Sequence, residues 1–251
     1  MSLVVEDRTA ARVTLSIENP PLNIVTLDAM RELERAVRSI PPRTRVVVLR
    51  GAGKHFSAGA DVGEHLPDRV RDMLEGLERL YLALVRVPVP TIAVVRGACL
   101  GAGLELALAC DMMIVADDAK LGVPEVTLGV MPPIAAVDLP ARVGRARAAE
   151  LIYTGRTIRG REAAAIGLAL ECVSDAELDA RADALAARIA SHSSIALSAC
   201  KQALDRPIER ARHDALRGAC ETYAKSIVPS HDGNEGLRAF LEKRAPQWKD
   251  E

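Results

Sequence analysis

The stretch that most restricts the fold is VVVL at 46–49, a β-branched run leading straight into a glycine-rich loop, GAGKHFSAGAD at 51–61. Such a run reads as a buried strand. An amphipathic helix is expected next over 69–85, then a second buried strand over 91–96 (TIAVVR) and a third over 112–116. Upstream, alternating residues 3–6 and 13–17 flank a polar turn and read as a hairpin, followed by the proline-rich ENPPLN and a helix over 27–38. From about Arg145 onward the periodicity is almost purely helical, with breaks expected at Gly155, Gly160, Gly167 and Pro229. Strands and helices therefore alternate in an α/β core that carries a helical C-terminal part, without internal repeats or a low-complexity linker.

Half of the 251 residues are apolar, enough for a sizeable core. The formal charge of -1 and the lack of a basic run interleaved with aromatics argue against nucleic acid as a partner. No apolar run has the length of a membrane span, and MSLVVEDRTA has no basic segment followed by an apolar core, as expected of a cytoplasmic protein. The five cysteines include no CxxC pair, and no two histidines stand four apart, so reduced buried thiols and no metal site are expected. The histidines fit solvated or capping roles.

Two glycine-rich loops carry the chemical interest. The first lacks GxxxxGK[ST], and Phe56 stands where GxGxxG needs its last glycine; in the second, GACLGAGLE, Leu106 does. Nucleotide-binding folds are thereby disfavoured. Both loops instead lead from a strand through small residues to an expected helix start, where backbone N–H groups are free to meet an anion. Close packing of tight turns would explain either loop alone. Glu105, within LELALA, and Glu125, in LGVPEVTLG, are acids in apolar surroundings. A carboxylate buried without partners costs several kcal/mol or shifts its pKa. Paired acids of this kind suit acid/base catalysis, and an arginine partner or a backbone cap is the competing explanation.

The segments HFSAGAD (55–61), PTIAVVRGACLGAGLELALACD (90–111), LGVPEVTLGVMP (121–132) and GLRAFLEKRAPQWKD (236–250) together resemble the crotonase family of enoyl-CoA hydratases and isomerases, over almost the whole chain. The resemblance implies a spiral of ββα units over 1–190 and a helical trimerisation region over 191–251. It further implies a homotrimer or a dimer of trimers, an acyl-CoA thioester as substrate and no separate cofactor. Matched residue by residue, the oxyanion hole falls on the backbone N–H groups of Ala60 and Ala102. The catalytic pair of a hydratase falls on Glu105 and Glu125, which would hold a water between them. Coenzyme A contacts fall on Leu22, Ala58, Asp61, Val62 and Gly63, and on Phe240 and Lys243 from a helix that often belongs to a neighbouring subunit. For Phe240 and Lys243 an ordinary amphipathic face is an equal explanation.

One segment departs from the family pattern. Hydratases commonly carry glycines where this chain has VMPPIAAVDLP (130–140), and Pro133 has no N–H to offer the water. Pro133, Ile134, Ala135 and Ala136 in place of glycines add bulk near the acyl site, which implies an acyl pocket, expected at Met131, Pro133 and Ile134, shaped for something other than a flexible straight chain. The PP-x-A run followed by LP resembles the branch that hydrates cyclohexa-1,5-diene-1-carbonyl-CoA. Hydratase is the expected activity, as a lyase of fatty or aromatic acid degradation. A double-bond isomerase and a catalytically weak acyl-CoA-binding subunit stay open as alternatives.

Overall fold

The computed structural model describes residues 4–9, 11–205 and 209–249. Its strands are β1 (Val4–Arg8), β2 (Arg12–Ile17), β3 (Val46–Gly51), β4 (Thr91–Val95), β5 (Ala98–Leu100), β6 (Met112–Ala116), β7 (Lys120–Gly122), β8 (Ile158–Arg159) and β9 (Glu171–Val173). The helices are α1 (Leu27–Arg38), α2 (Val70–Val85), α3 (Ala102–Leu108), α4 (Pro133–Val143), α5 (Arg145–Thr154), α6 (Gly160–Ala165), α7 (Asp175–Ala190), α8 (Ser194–Asp205), α9 (Glu209–Thr222) and α10 (His231–Leu241). The expected hairpin is β1–β2; its anticipated first residue, Leu3, lies outside the described residues, as does Asp250 of the C-terminal motif.

Two sheets organise the core. The larger runs β1-β2-β3-β4-β6-β9 and is parallel except for the β1–β2 hairpin. All but one residue of β3 and all of β4 are buried, as expected of parallel strands covered on both faces. Helices α1 and α2 pack together, and α7 packs on β3, β4 and β6. Met30, Leu33 and Val37 form the buried stripe of α1, which opens on Thr26, whose side chain accepts the Ala29 N–H. The smaller sheet, β5-β7-β8, was not legible from sequence because its strands have two or three residues, too few to display alternation.

For the same reason the purely helical reading after Arg145 is corrected. Strand β8 lies within that stretch, β9 completes the large sheet beside β6, and Gly160 begins α6 where a break was expected. Further on, α9 packs against α4, while α10 packs against the two 3₁₀ turns Val62–His65 and Pro124–Leu128. Among the described residues no helix is long and apolar enough to cross a membrane.

Candidate active site

The two glycine-rich loops run side by side. Ser57 bridges Cys99 in parallel register, with Ser57 N–H donating to Ala98 O and Leu100 N–H to Ser57 O, each at 3.0 Å. Further along, a β-carbon at Gly59 would meet Leu100 O at 3.2 Å and Ala102 N at 3.9 Å, so the two turns stay close together. Gly59 (φ 110°) and Gly101 (φ 52°) turn the chain immediately before each alanine, in a region that side chains other than hydrogen rarely enter. Ala102 is the first residue of α3, whose first-turn N–H groups have no intrahelical partner. Both alanines line one cavity of about 360 Å³.

Glu105 lies one turn into α3, where all seven residues are buried, and is itself 1% exposed. It is held rather than orphaned. Its Oε1 accepts the N–H groups of Ile134 and Ala135, both at 2.9 Å, from the first turn of α4. Two amides at a helix N-terminus favour the ionised form, whereas burial, the dominant influence, and Asp138 raise the pKa of Glu105. Helix α4 is pinned in turn: Tyr81 Oη donates to Asp138 Oδ2, and Arg212 Nε donates to Oδ1 at 2.9 Å.

Glu125 follows Pro124 in a 3₁₀ turn. The residue is partly accessible, but its Oε2 is enclosed and has no hydrogen-bond partner among the described residues. Burial first, and then the charge of Glu105, raise its pKa. A β-carbon at Gly101 would come within 2.7 Å of Glu125 Oε1, so the carboxylate rests directly against the second loop. Both acids line the cavity that Ala60 and Ala102 face.

The remaining expectations divide. Ala58, Val62, Met131, Pro133 and Phe240 line the cavity, and Phe240 is half exposed at 52%. Leu22, Asp61, Gly63 and Lys243 are not part of its wall. Leu22 is 41% exposed and accepts the Ala58 N–H through its carbonyl; Asp61 accepts the Gly63 N–H at 2.8 Å; Lys243 is exposed just beyond α10. Ile134 is not part of the cavity wall: its side chain packs in the buried core, and its amide donates to Glu105. Pro133 occupies the first position of α4, where a missing N–H leaves no helical bond unmade, and the next two amides serve Glu105.

Sequence reasoning missed Tyr223 and His65, which also line the cavity with ring centroids 6.3 Å apart. Tyr223 is 1% exposed and opens a π-helical turn, Tyr223–Ile227. The available signal was scarcity: the chain has three tyrosines, and two of them are buried beside acids, Tyr81 at Asp138 and Tyr223 near Glu125 and Glu105. Among the described residues no three His, Cys, Asp or Glu side chains cluster as metal ligands.

The sequence model of the family described as "Enoyl-CoA hydratase/isomerase" matches residues 7–251. The chain belongs to that family. Within it, the chain is 36% identical to a cyclohexa-1,5-dienecarbonyl-CoA hydratase of Thauera aromatica, over 97% of this chain and 95% of the relative. A solved enoyl-CoA hydratase from Mycobacterium avium subsp. paratuberculosis superposes with a TM-score of 0.89 at 27% identity, covering 99% of each chain. One from Bacillus anthracis gives 0.79 at 35%, covering 99% of this chain and all of that one. The crotonase resemblance and its α/β fold are thus borne out.

Proposed function

We propose that the protein is a hydro-lyase that adds water across the conjugated double bond of an acyl-CoA thioester, using Ala60 and Ala102 as the oxyanion hole and Glu105 and Glu125 as the acid/base pair. The observation that carries this reading is the convergence of two buried carboxyl groups and of Ala60 and Ala102, each preceded by a glycine of positive φ, on one largely apolar cavity. The thioester oxygen gains negative charge as the enolate forms, and fixed N–H donors stabilise that charge more than they stabilise the ground state.

The surroundings assign different tasks to the two acids. Glu105 has two amides favouring its charge, so it is the carboxylate that takes the proton from water. Glu125 Oε2 has no partner among the described residues, and burial and the facing charge of Glu105 favour its protonated form, so it keeps its proton and delivers it to the α-carbon. The water oxygen bonds to the β-carbon, its proton goes to Glu105, and exchange with solvent restores both acids. Met131 and Pro133, at rigid or bulky positions of the wall, together with the similarity to a dienecarbonyl-CoA hydratase, favour a cyclic conjugated acyl group.

The pantetheine and nucleotide would run from Ala58 and Val62 out past Phe240, with Leu22, Asp61, Gly63 and Lys243 beyond the cavity mouth. Ile195, Leu204 and Leu241, strongly exposed on the C-terminal helices, support residues 191–251 as the trimerisation region of a trimer or dimer of trimers. The test is turnover of crotonyl-CoA and cyclohexa-1,5-dienecarbonyl-CoA in ¹⁸O water. Wild type is expected to place ¹⁸O in the product hydroxyl, and Glu105→Gln and Glu125→Gln to lose roughly 10² to 10⁴-fold in rate while still binding substrate. Absence of the label from every wild-type product would remove hydration, and full activity in either variant would remove that glutamate.

A further inference from the structure

The Tyr223 side chain lines the catalytic cavity, and its hydroxyl is enclosed and has no hydrogen-bond partner among the described residues. A buried hydroxyl normally finds a partner, since leaving one unmade costs about 1 to 3 kcal/mol. Burial first, and then the neighbouring carboxyl groups of Glu125 and Glu105, raise the pKa of Tyr223, so it stays protonated and able to donate.

A water held between two carboxyl groups directs its two hydrogens at them. One oxygen lone pair attacks carbon, and the other needs a donor. Few donors on the cavity wall are uncommitted. Thr127 Oγ1 donates to Pro124 O at 2.7 Å. His65 Nδ1 lies 2.9 Å from Asp61 O, which can only accept, so Nδ1 carries the hydrogen. Burial keeps the ring neutral, which makes Nε2 an acceptor. The N–H groups of Ala60 and Ala102 serve the thioester oxygen on the hydration reading. Pro133 has no N–H, and the two amides that follow it are engaged by Glu105. Besides the proton that Glu125 delivers to carbon, Tyr223 Oη–H is the remaining side-chain donor among the described residues of the wall.

We propose that Tyr223 donates a hydrogen bond to the oxygen that is added to the acyl chain, as water before the addition and as the product hydroxyl after it. The tyrosine neither gains nor loses a proton. It orients the attacking oxygen and stabilises the negative character that this oxygen acquires as its proton moves to Glu105. The π-helical turn supports this role: the Val228 N–H reaches back to Tyr223 O at 3.1 Å, and such single-turn insertions frequently mark functional positions.

The proposal rests on the hydration reading, and Tyr223→Phe separates the two. The variant keeps the ring and deletes only the hydroxyl, so its thermal midpoint should be no lower than that of wild type. Its kcat for hydration should fall roughly 10- to 100-fold. Its Kd for 3-hydroxybutyryl-CoA should rise about 3- to 10-fold, with the Kd for butyryl-CoA, which lacks the oxygen, unchanged. Wild-type kcat and product affinity in the variant would overturn the assignment, as would an equal loss of affinity for both ligands, the sign of a packing defect. If wild type itself incorporates no ¹⁸O, both readings fall; if it does and Tyr223→Phe matches it, only the role of Tyr223 falls.

Discussion

Gly101 joins the two halves of the site, and Gly101→Ala should separate activity from stability. The residue sits at φ 52° and ψ -128°, a region essentially closed to alanine. Holding a side-chain-bearing residue there costs about 1 to 3 kcal/mol. In a chain of this size that corresponds to roughly 2 to 4 °C of melting temperature per kcal/mol. The second effect is local. The new methyl would lie 2.7 Å from Glu125 Oε1, inside contact distance, and the enclosed carboxylate must move by several tenths of an ångström. A catalytic group displaced by as much as 1 Å can cost about 10²-fold in rate. Gly53→Ala supplies the control, since Gly53 also has a positive φ, of 71°, but a β-carbon there meets nothing within 4 Å. Both variants should melt lower than wild type, and only Gly101→Ala should lose kcat, by about two orders of magnitude. Equal kcat in the two variants, measured with saturating enoyl-CoA, would refute the placement of Glu125 against this loop.

Two further outcomes follow from the same geometry. Ala102→Pro removes one oxyanion donor at the first position of α3, where proline is tolerated, so denaturant unfolding should change little while kcat falls about 10² to 10³-fold; near-wild-type turnover would exclude that N–H from the mechanism. Glu125→Gln should change the pH dependence of stability. The folded-state pKa of Glu125 is raised, so above its ordinary value of 4.5 the folded protein binds the proton more tightly than the unfolded chain does. The stability this proton contributes is complete below about pH 4.5 and is lost as pH rises through the folded pKa. The variant should therefore gain stability relative to wild type between about pH 5 and pH 9; a pH-independent difference in melting temperature would contradict the burial of this carboxyl.

Most of the large sheet was legible because its central strands, such as Val46–Gly51 and Thr91–Val95, are uninterrupted apolar runs, and a run of that kind has few other ways to be buried. Glu105 and Glu125 were legible for the converse reason, as charges where the surrounding pattern requires none. What escaped was decided by pairing between distant segments. Ile158–Arg159 is a strand only because Lys120–Gly122 lies beside it, and two residues carry no period of their own. Ile134 was assigned to the acyl pocket by its size, but the part of it that acts is the backbone amide, which its residue type does not reveal.

Pro133 shows why one residue was open to two readings. Beside a catalytic water, a missing amide removes a donor, whereas at the start of a helix the same missing amide disturbs nothing and the ring sets the φ that the helix needs. The second situation applies here, and its effect reaches the chemistry through Glu105, because the turn that Pro133 begins presents its next two N–H groups to one carboxylate oxygen. On the proposed hydration mechanism, the donor that a glycine would have given the water comes instead from a side chain of the cavity wall. Tyr223 is in that position, on a helical segment where an aromatic residue, read from sequence, looks like ordinary core. Its hydroxyl becomes informative only once the fold has placed it, unpartnered, beside two acids.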